Sequence, residues 1–166
     1  DELKHPFRIT ELGLVTDSAG AGRRRGAPAQ TITYTPTGNP VTVVIPCDGQ
    51  YAPPRGVVGG RDGTPGSTHL VGANGEEEKL PNVVTVQLQK GQAIRGRDSS
   101  GGGYGDPLTR EPERVLKDVL EGWESPEKAR DVYGVVFTGA IDDDSLAVDP
   151  AATAARRAEL AAVAAE

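Results

Sequence analysis

The residue pattern predicts an α+β fold that is mainly β, loop-rich and antiparallel, with helices at its C-terminal end. Three observations carry that prediction. β-branched residues recur at alternate positions in several short runs before residue 100. The chain holds 22 glycines and 13 prolines in 166 residues, well above average usage of about 12% for the two together. After Asp106-Pro107 the apolar period changes from two to about four. The expected division is a β-rich body over 1–108 and a helical segment over 109–166, packed on that body or on a partner subunit.

In order along the chain, Phe7 to Val15 alternates at 7 and 9 and again at 12 and 14, a strand with a bulge near Glu11. Thr16 to Gly22 is a small-residue turn running into Arg23-Arg24-Arg25. Gln30 to Thr35 and Val41 to Ile45, separated by Pro36-Thr37-Gly38-Asn39-Pro40, predict a hairpin. Residues 47–66 are too rich in Pro and Gly for a helix. Ser67 to Val71 and Val83 to Leu88 are strands, with a hairpin turn at Asn74-Gly75. Gly101-Gly102-Gly103-Tyr104-Gly105 predicts a tight, backbone-exposed turn, because glycine enters positive φ without steric cost.

Pro112 then opens a helix with Val115, Leu116, Val119 and Leu120 on one stripe, stopped at Gly122. Ser125-Pro126-Glu127 caps a second helix, through Ala129 and Val132. Val135 to Phe137 predicts a last strand, Asp142 to Asp144 a solvated loop, and Asp149-Pro150 the start of an alanine-rich helix ending near Ala165.

Composition limits function. Apolar residues are 36% and aromatics 4%, which implies a thin core that gains stability by docking on something larger. A net charge of −6 and a pI near 5.0 oppose nucleic-acid binding. No apolar run approaches the roughly 20 residues of a membrane span. One cysteine, Cys47, excludes an intrachain disulfide, so a cytoplasmic location is expected. The chain has no methionine, which suits either a removed start or a piece of a longer polypeptide.

Chemistry-bearing motifs are sparse. His5 and His69 lack zinc-site spacing, and Asp142 to Asp144 lack the alternation of a calcium loop. The glycine run fails the dinucleotide pattern at Asp106 and lacks the lysine of a P-loop, so a structural corner is the better reading. Cys47 has no neighbouring base and reads as packing. Arg23, Arg24 and Arg25 are the candidate anion or interface residues, since guanidinium forks grip carboxylate and phosphate; pairing with the acidic surplus is the plainer alternative. No catalytic, cofactor-binding or metal residue is assigned.

One resemblance extends this reading. The segments Thr16 to Gly26, Pro53 to Gly60, Gly101 to Leu108, Glu111 to Val115 and Ser125 to Val136, in that order, resemble the C-terminal part of the hydantoinase B/oxoprolinase family, from about Phe7 to Phe137. Where the family commonly continues the arginine loop as Arg-Gly-Gly, this chain has Arg25-Gly26-Ala27-Pro28.

The resemblance implies a longer B-like chain working with a hydantoinase A-like, ATP-binding subunit of actin-like architecture to hydrolyse cyclic amides such as hydantoins or 5-oxoproline. A related branch carboxylates ketones of the acetone and acetophenone type. It further implies that ATP and a divalent metal sit on partner chains, none on this one, and that the partners are the A-like subunit and the remainder of a B-like subunit. The expected role is scaffolding and lining a cavity in that complex. A stand-alone anion-binding or assembly module is the rival reading.

Overall fold

The computed structural model describes residue 2 and residues 4–163. It contains two compact units, neither made by a single cut in the sequence. One comprises Asp1–Val15, Ala29–Pro54 and Thr64–Ser100, the other Thr16–Pro28, Arg55–Gly63 and Gly101–Glu166. The architecture is the mainly antiparallel α+β one expected, with helices at the C-terminal end.

Among the described residues the first unit holds seven strands: β1 (Phe7–Leu14), β2 (Gln30–Pro36), β3 (Val41–Pro46), β4 (Ser67–Val71), β5 (Glu77–Lys79), β6 (Val83–Leu88) and β7 (Ala93–Arg97). Five form an antiparallel sheet in the order β1-β2-β7-β4-β5, and β3 and β6 form a second, two-stranded sheet. The bulge expected near Glu11 is present as a register shift between Ile9 and Glu11.

The hairpin expected of β2 and β3 does not form. β2 is paired by β1 on one edge and β7 on the other, so β3 pairs instead with β6, from Val41↔Leu88 to Pro46↔Val83. The Pro-bracketed turn carries the chain between sheets rather than back along one. β7 is not evident as a strand in the sequence because Gly96 and two arginines hide its alternation, yet it is the central strand. Its Arg95 lies 3.2 Å from Glu11 Oε2, pairs with Glu77 and donates to Thr33 Oγ1. The Thr33 hydroxyl bond, helped by Arg95, holds the Glu11 carboxyl below its usual range. The core joins Ile45, Leu80, Leu88 and Ile94, with half-buried Tyr34, Cys47 and Val86 packed on it; Cys47 is a packing residue, as its surroundings in sequence suggest.

The second unit carries α1 (Pro112–Leu120), α2 (Pro126–Val132), the short pair β8 (Phe137–Thr138) and β9 (Ala147–Val148), and α3 (Pro150–Val163). Val115 and Val119 of α1 are buried with Ala129, Tyr133 and Val135. Gly122, at φ +72°, ends α1, and Ser125 Oγ caps α2 by accepting from Lys128 N at 3.1 Å. The strand expected from Val135 begins only at Phe137. Gly134 adopts φ +63° and Val135 N donates to Ala129 O at 2.9 Å, so Val135 closes α2 instead of extending β8.

Asp149 Oδ1 accepts from Ala152 N at 2.9 Å to cap α3. That helix is fastened by polar contacts: Thr153 Oγ1 accepts from Val136 N at 3.1 Å, and Arg157 donates to Tyr133 O at 3.1 Å and Arg110 O at 2.6 Å. The expected end of α3 near Ala165 lies outside the described residues. Asp142, Asp143 and Asp144 form an exposed loop, as expected.

The glycine run is not the backbone-exposed turn expected from its sequence. Residues 101–105 lie extended between two other loops of this unit, and only Gly105 has positive φ. On one side Gly20 N donates to Gly101 O at 2.9 Å, and Arg24 and Tyr104 exchange backbone bonds of 2.9 and 2.8 Å. On the other, Val57 N donates to Gly103 O and Gly105 N to Val57 O, at 2.9 and 3.0 Å. The glycines serve close approach: a Cβ on Gly103 would stand 2.0 Å from Ala21 O, and one on Gly102 2.2 Å from Arg55 O.

Two substitutions test these cores. Ile94→Ala should lower unfolding free energy by about 2–5 kcal/mol in urea titration, since it empties a fully buried site. Gly103→Ala should cost about 3 kcal/mol or more, because the clash is with backbone that cannot rotate away. Gly38→Ala, with nothing within 4 Å, should be near neutral in the same titration.

Candidate functional site

The three arginines singled out in the sequence take different places in the second unit. The Arg23 guanidinium lies 5.9 Å from the centre of the Tyr104 ring. Arg24 is exposed, its backbone held by Tyr104. Arg25 turns inward: its Nε is 3.1 Å from Asp118 Oδ1, and its guanidinium is 4.7 Å from the Trp123 ring centre. The opposite oxygen, Asp118 Oδ2, accepts from Arg110 Nη2 at 2.7 Å. One buried carboxylate is thus shared by two guanidinium groups, the charge-assisted pairing that makes burial of such groups tolerable.

Arg110 also donates from Nη1 to Arg23 O at 3.2 Å, tying the arginine loop to the start of the helical segment. Around this cluster lies an open groove of about 590 Å³, lined by Arg24, Arg25, Arg110, Arg114, Lys117 and Trp123 among others. Arg24 and Arg114 also line an adjoining hollow of about 250 Å³ with Arg23. The groove can hold negative charge. Among the described residues that line it there is no pairing of nucleophile and base.

Asp118, Arg110 and Trp123 belong to this cluster and are not singled out by the sequence reading. Asp118 has a signal: it falls three residues after Val115 and one before Val119, on the buried face of α1, where a carboxylate requires a cation. Arg110 and Trp123 have none, because only folding brings them to the loop at 23–25.

A second buried carboxylate, Glu124, is 1% exposed. Lys128 Nζ stands 2.8 Å from its Oε2 and also donates to Asp17 O and Ala19 O at 2.8 and 2.9 Å, while Tyr133 Oη donates to Glu124 Oε1 at 3.3 Å. Asp17 Oδ1 accepts from Ser125 N at 2.7 Å. Burial pushes the Glu124 carboxyl above its ordinary value of 4.5, with Lys128 pulling it partway back. Burial likewise raises the Tyr133 phenol. His5 and His69 join no such cluster: among the described residues no group of three or more His, Cys, Asp or Glu could hold a metal ion.

The raised Glu124 value sets a pH dependence. The folded state holds this proton more tightly than the unfolded state, so the contribution is complete below pH 4.5 and is lost as pH rises through the raised folded value. Glu124→Gln, which cannot ionise, should therefore lose less stability than the parent chain between about pH 4 and pH 7 in paired urea titrations. Equal losses would show that Glu124 titrates as an ordinary carboxyl.

The profile described as Hydantoinase B/oxoprolinase matches residues 1–107. The beta subunit of the caprolactamase of Pseudomonas jessenii is 35% identical over 161 residues, 95% of this chain and 27% of that one. The B-type subunit of the putative D-/L-hydantoinase of Pseudomonas sp. (strain NS671) is 33% identical over 150 residues, 86% of this chain and 24% of that one. The crystal structure of the ATP-dependent caprolactamase from Pseudomonas jessenii superimposes with a TM-score of 0.72 at 30% identity, over 95% of this chain and 27% of that chain. The chain thus spans about a quarter of the length of these relatives. Among the described residues no helix is long and apolar enough to cross a membrane. By the profile match and these relatives, the chain belongs to the hydantoinase B/oxoprolinase family.

Proposed function

We propose that this chain supplies one segment of the B-like subunit in an ATP-dependent amide-hydrolysing complex of the cytoplasm. It scaffolds that subunit and lines part of its substrate cavity. ATP is held by a hydantoinase A-like subunit, and the remainder of the B-like subunit carries the divalent metal and the reacting groups. The carrying observation is the match to the caprolactamase beta subunit, which runs through 95% of this chain.

Two features of the fold support a scaffolding role. The glycine-packed loops join segments far apart in sequence into one closely packed unit. α3 is held by arginine and threonine contacts with only Thr153 buried, which leaves its alanine-rich outer face for another surface. In the same reading, Arg23, Arg24 and Arg25 organise the second unit at an interface, Arg25 from within and the other two at the surface.

Co-expression with an A-like chain and a metal-carrying B-like chain tests the proposal. The expected result is one complex by native mass spectrometry, with ATP-dependent turnover of a hydantoin or lactam only when all three chains are present. A chain that stays folded, monomeric and unattached to both would overturn it. ATP-dependent consumption of a ketone and bicarbonate, without amide hydrolysis, would assign the complex to the carboxylase branch instead.

A further inference from the structure

The groove beside Trp123 has a charge balance opposite to that of the chain. The whole sequence carries −6, yet among the described residues five cationic side chains (Arg24, Arg25, Arg110, Arg114 and Lys117) line this groove against the single carboxylate of Asp118. Asp118 is already committed on both oxygens, to Arg25 and Arg110. Glu111 reaches Arg114, but both side chains are mostly exposed, and such a pair exchanges readily with an incoming anion. Glu113 and Glu121 are also on or next to α1, and neither lines the groove.

The buried part of the groove is also incompletely bonded. The Arg110 side chain is 9% exposed; Nη2 and Nη1 are occupied by Asp118 and Arg23 O, while Nε, buried, has no hydrogen-bond partner among the described residues. A buried guanidinium N–H without an acceptor is costly, and it leaves Arg110 with a donor that Asp118 and Arg23 do not satisfy. Charge and orphaned donor point the same way.

We propose that this groove is an oxyanion-binding site whose ligand presents a carboxylate or phosphate to Arg24, Arg110, Arg114 and Lys117 beside the Trp123 ring. The planar forks of the arginines suit two-oxygen recognition, and Lys117 adds a point charge at the rim. The site differs from a simple arginine-loop site, because two of its cations come from α1 and one from the turn before it. It does not depend on the partner assignment made above.

The chain's single tryptophan makes the test direct, since Trp123 lines the groove and its emission reports occupancy without a label. The full chain is titrated at constant low ionic strength with inorganic phosphate and, separately, with a hexaglutamate peptide. Saturable change with phosphate supports a site for small anions; change with hexaglutamate alone supports an acidic polypeptide ligand. In either case Arg114→Gln/Lys117→Gln should weaken binding about tenfold or more with an unchanged far-UV circular dichroism spectrum. Lys79→Gln/Lys90→Gln, which removes equal charge from exposed positions of the first unit, should leave it within about twofold. No change in Trp123 emission with either probe beyond that of sodium chloride, or equal binding by the two double variants, would overturn the proposal.

Discussion

The second unit depends on backbone meeting backbone at distances no side chain permits. Residues 101–105 lie between two loops, hydrogen-bonded to both, and a Cβ on Gly101, Gly102 or Gly103 would collide with backbone atoms rather than movable side chains. Loops normally face water because their peptide groups need partners there. Here three loops partner one another, so segments that look like flexible connections form one hydrogen-bonded layer. The arginine triplet is tied to that layer through the backbone of Arg24, and Arg25 meets Asp118 of α1.

The same unit resolves its small apolar inventory by burying charge in pairs. Val115, Val119, Ala129, Tyr133 and Val135 make a modest core, flanked by the Asp118 cluster and the Glu124–Lys128 pair. Buried ion pairs gain little net stability over apolar packing, but they penalise any arrangement that separates the partners. They therefore specify how the arginine loop, α1 and α2 assemble. Two cations per carboxylate at Asp118 leave the adjoining groove positive in an otherwise acidic chain.

Much of the candidate site is invisible in sequence for a physical reason. A basic triplet is conspicuous, but whether each arginine points to solvent, to an aromatic ring or to a buried acid is decided by residues some 80 to 100 positions away, of the order of the separation between Arg25 and Trp123. Asp118 on an apolar helical face is the one readable hint. The family resemblance is legible because its motifs are the interlocking glycine segments themselves, whose residue types are dictated by sterics and so stay recognisable.

Local patterns alone determined β1 with its bulge, the strands at 67–71 and 83–88, the Gly122 stop, the Ser125 cap and the Asp149 start of the last helix. Each rests on interactions spanning a few residues. Tertiary structure decided the rest. β2 met β1 and β7 rather than β3 because both its edges were taken, and Ala93–Arg97 became the central strand despite a sequence that hides it. The glycine run, read as a turn from backbone freedom, became a packed extended segment because glycine's lack of volume mattered more than its choice of φ. Glycine's two properties predict different structures, and only its neighbours in space select between them.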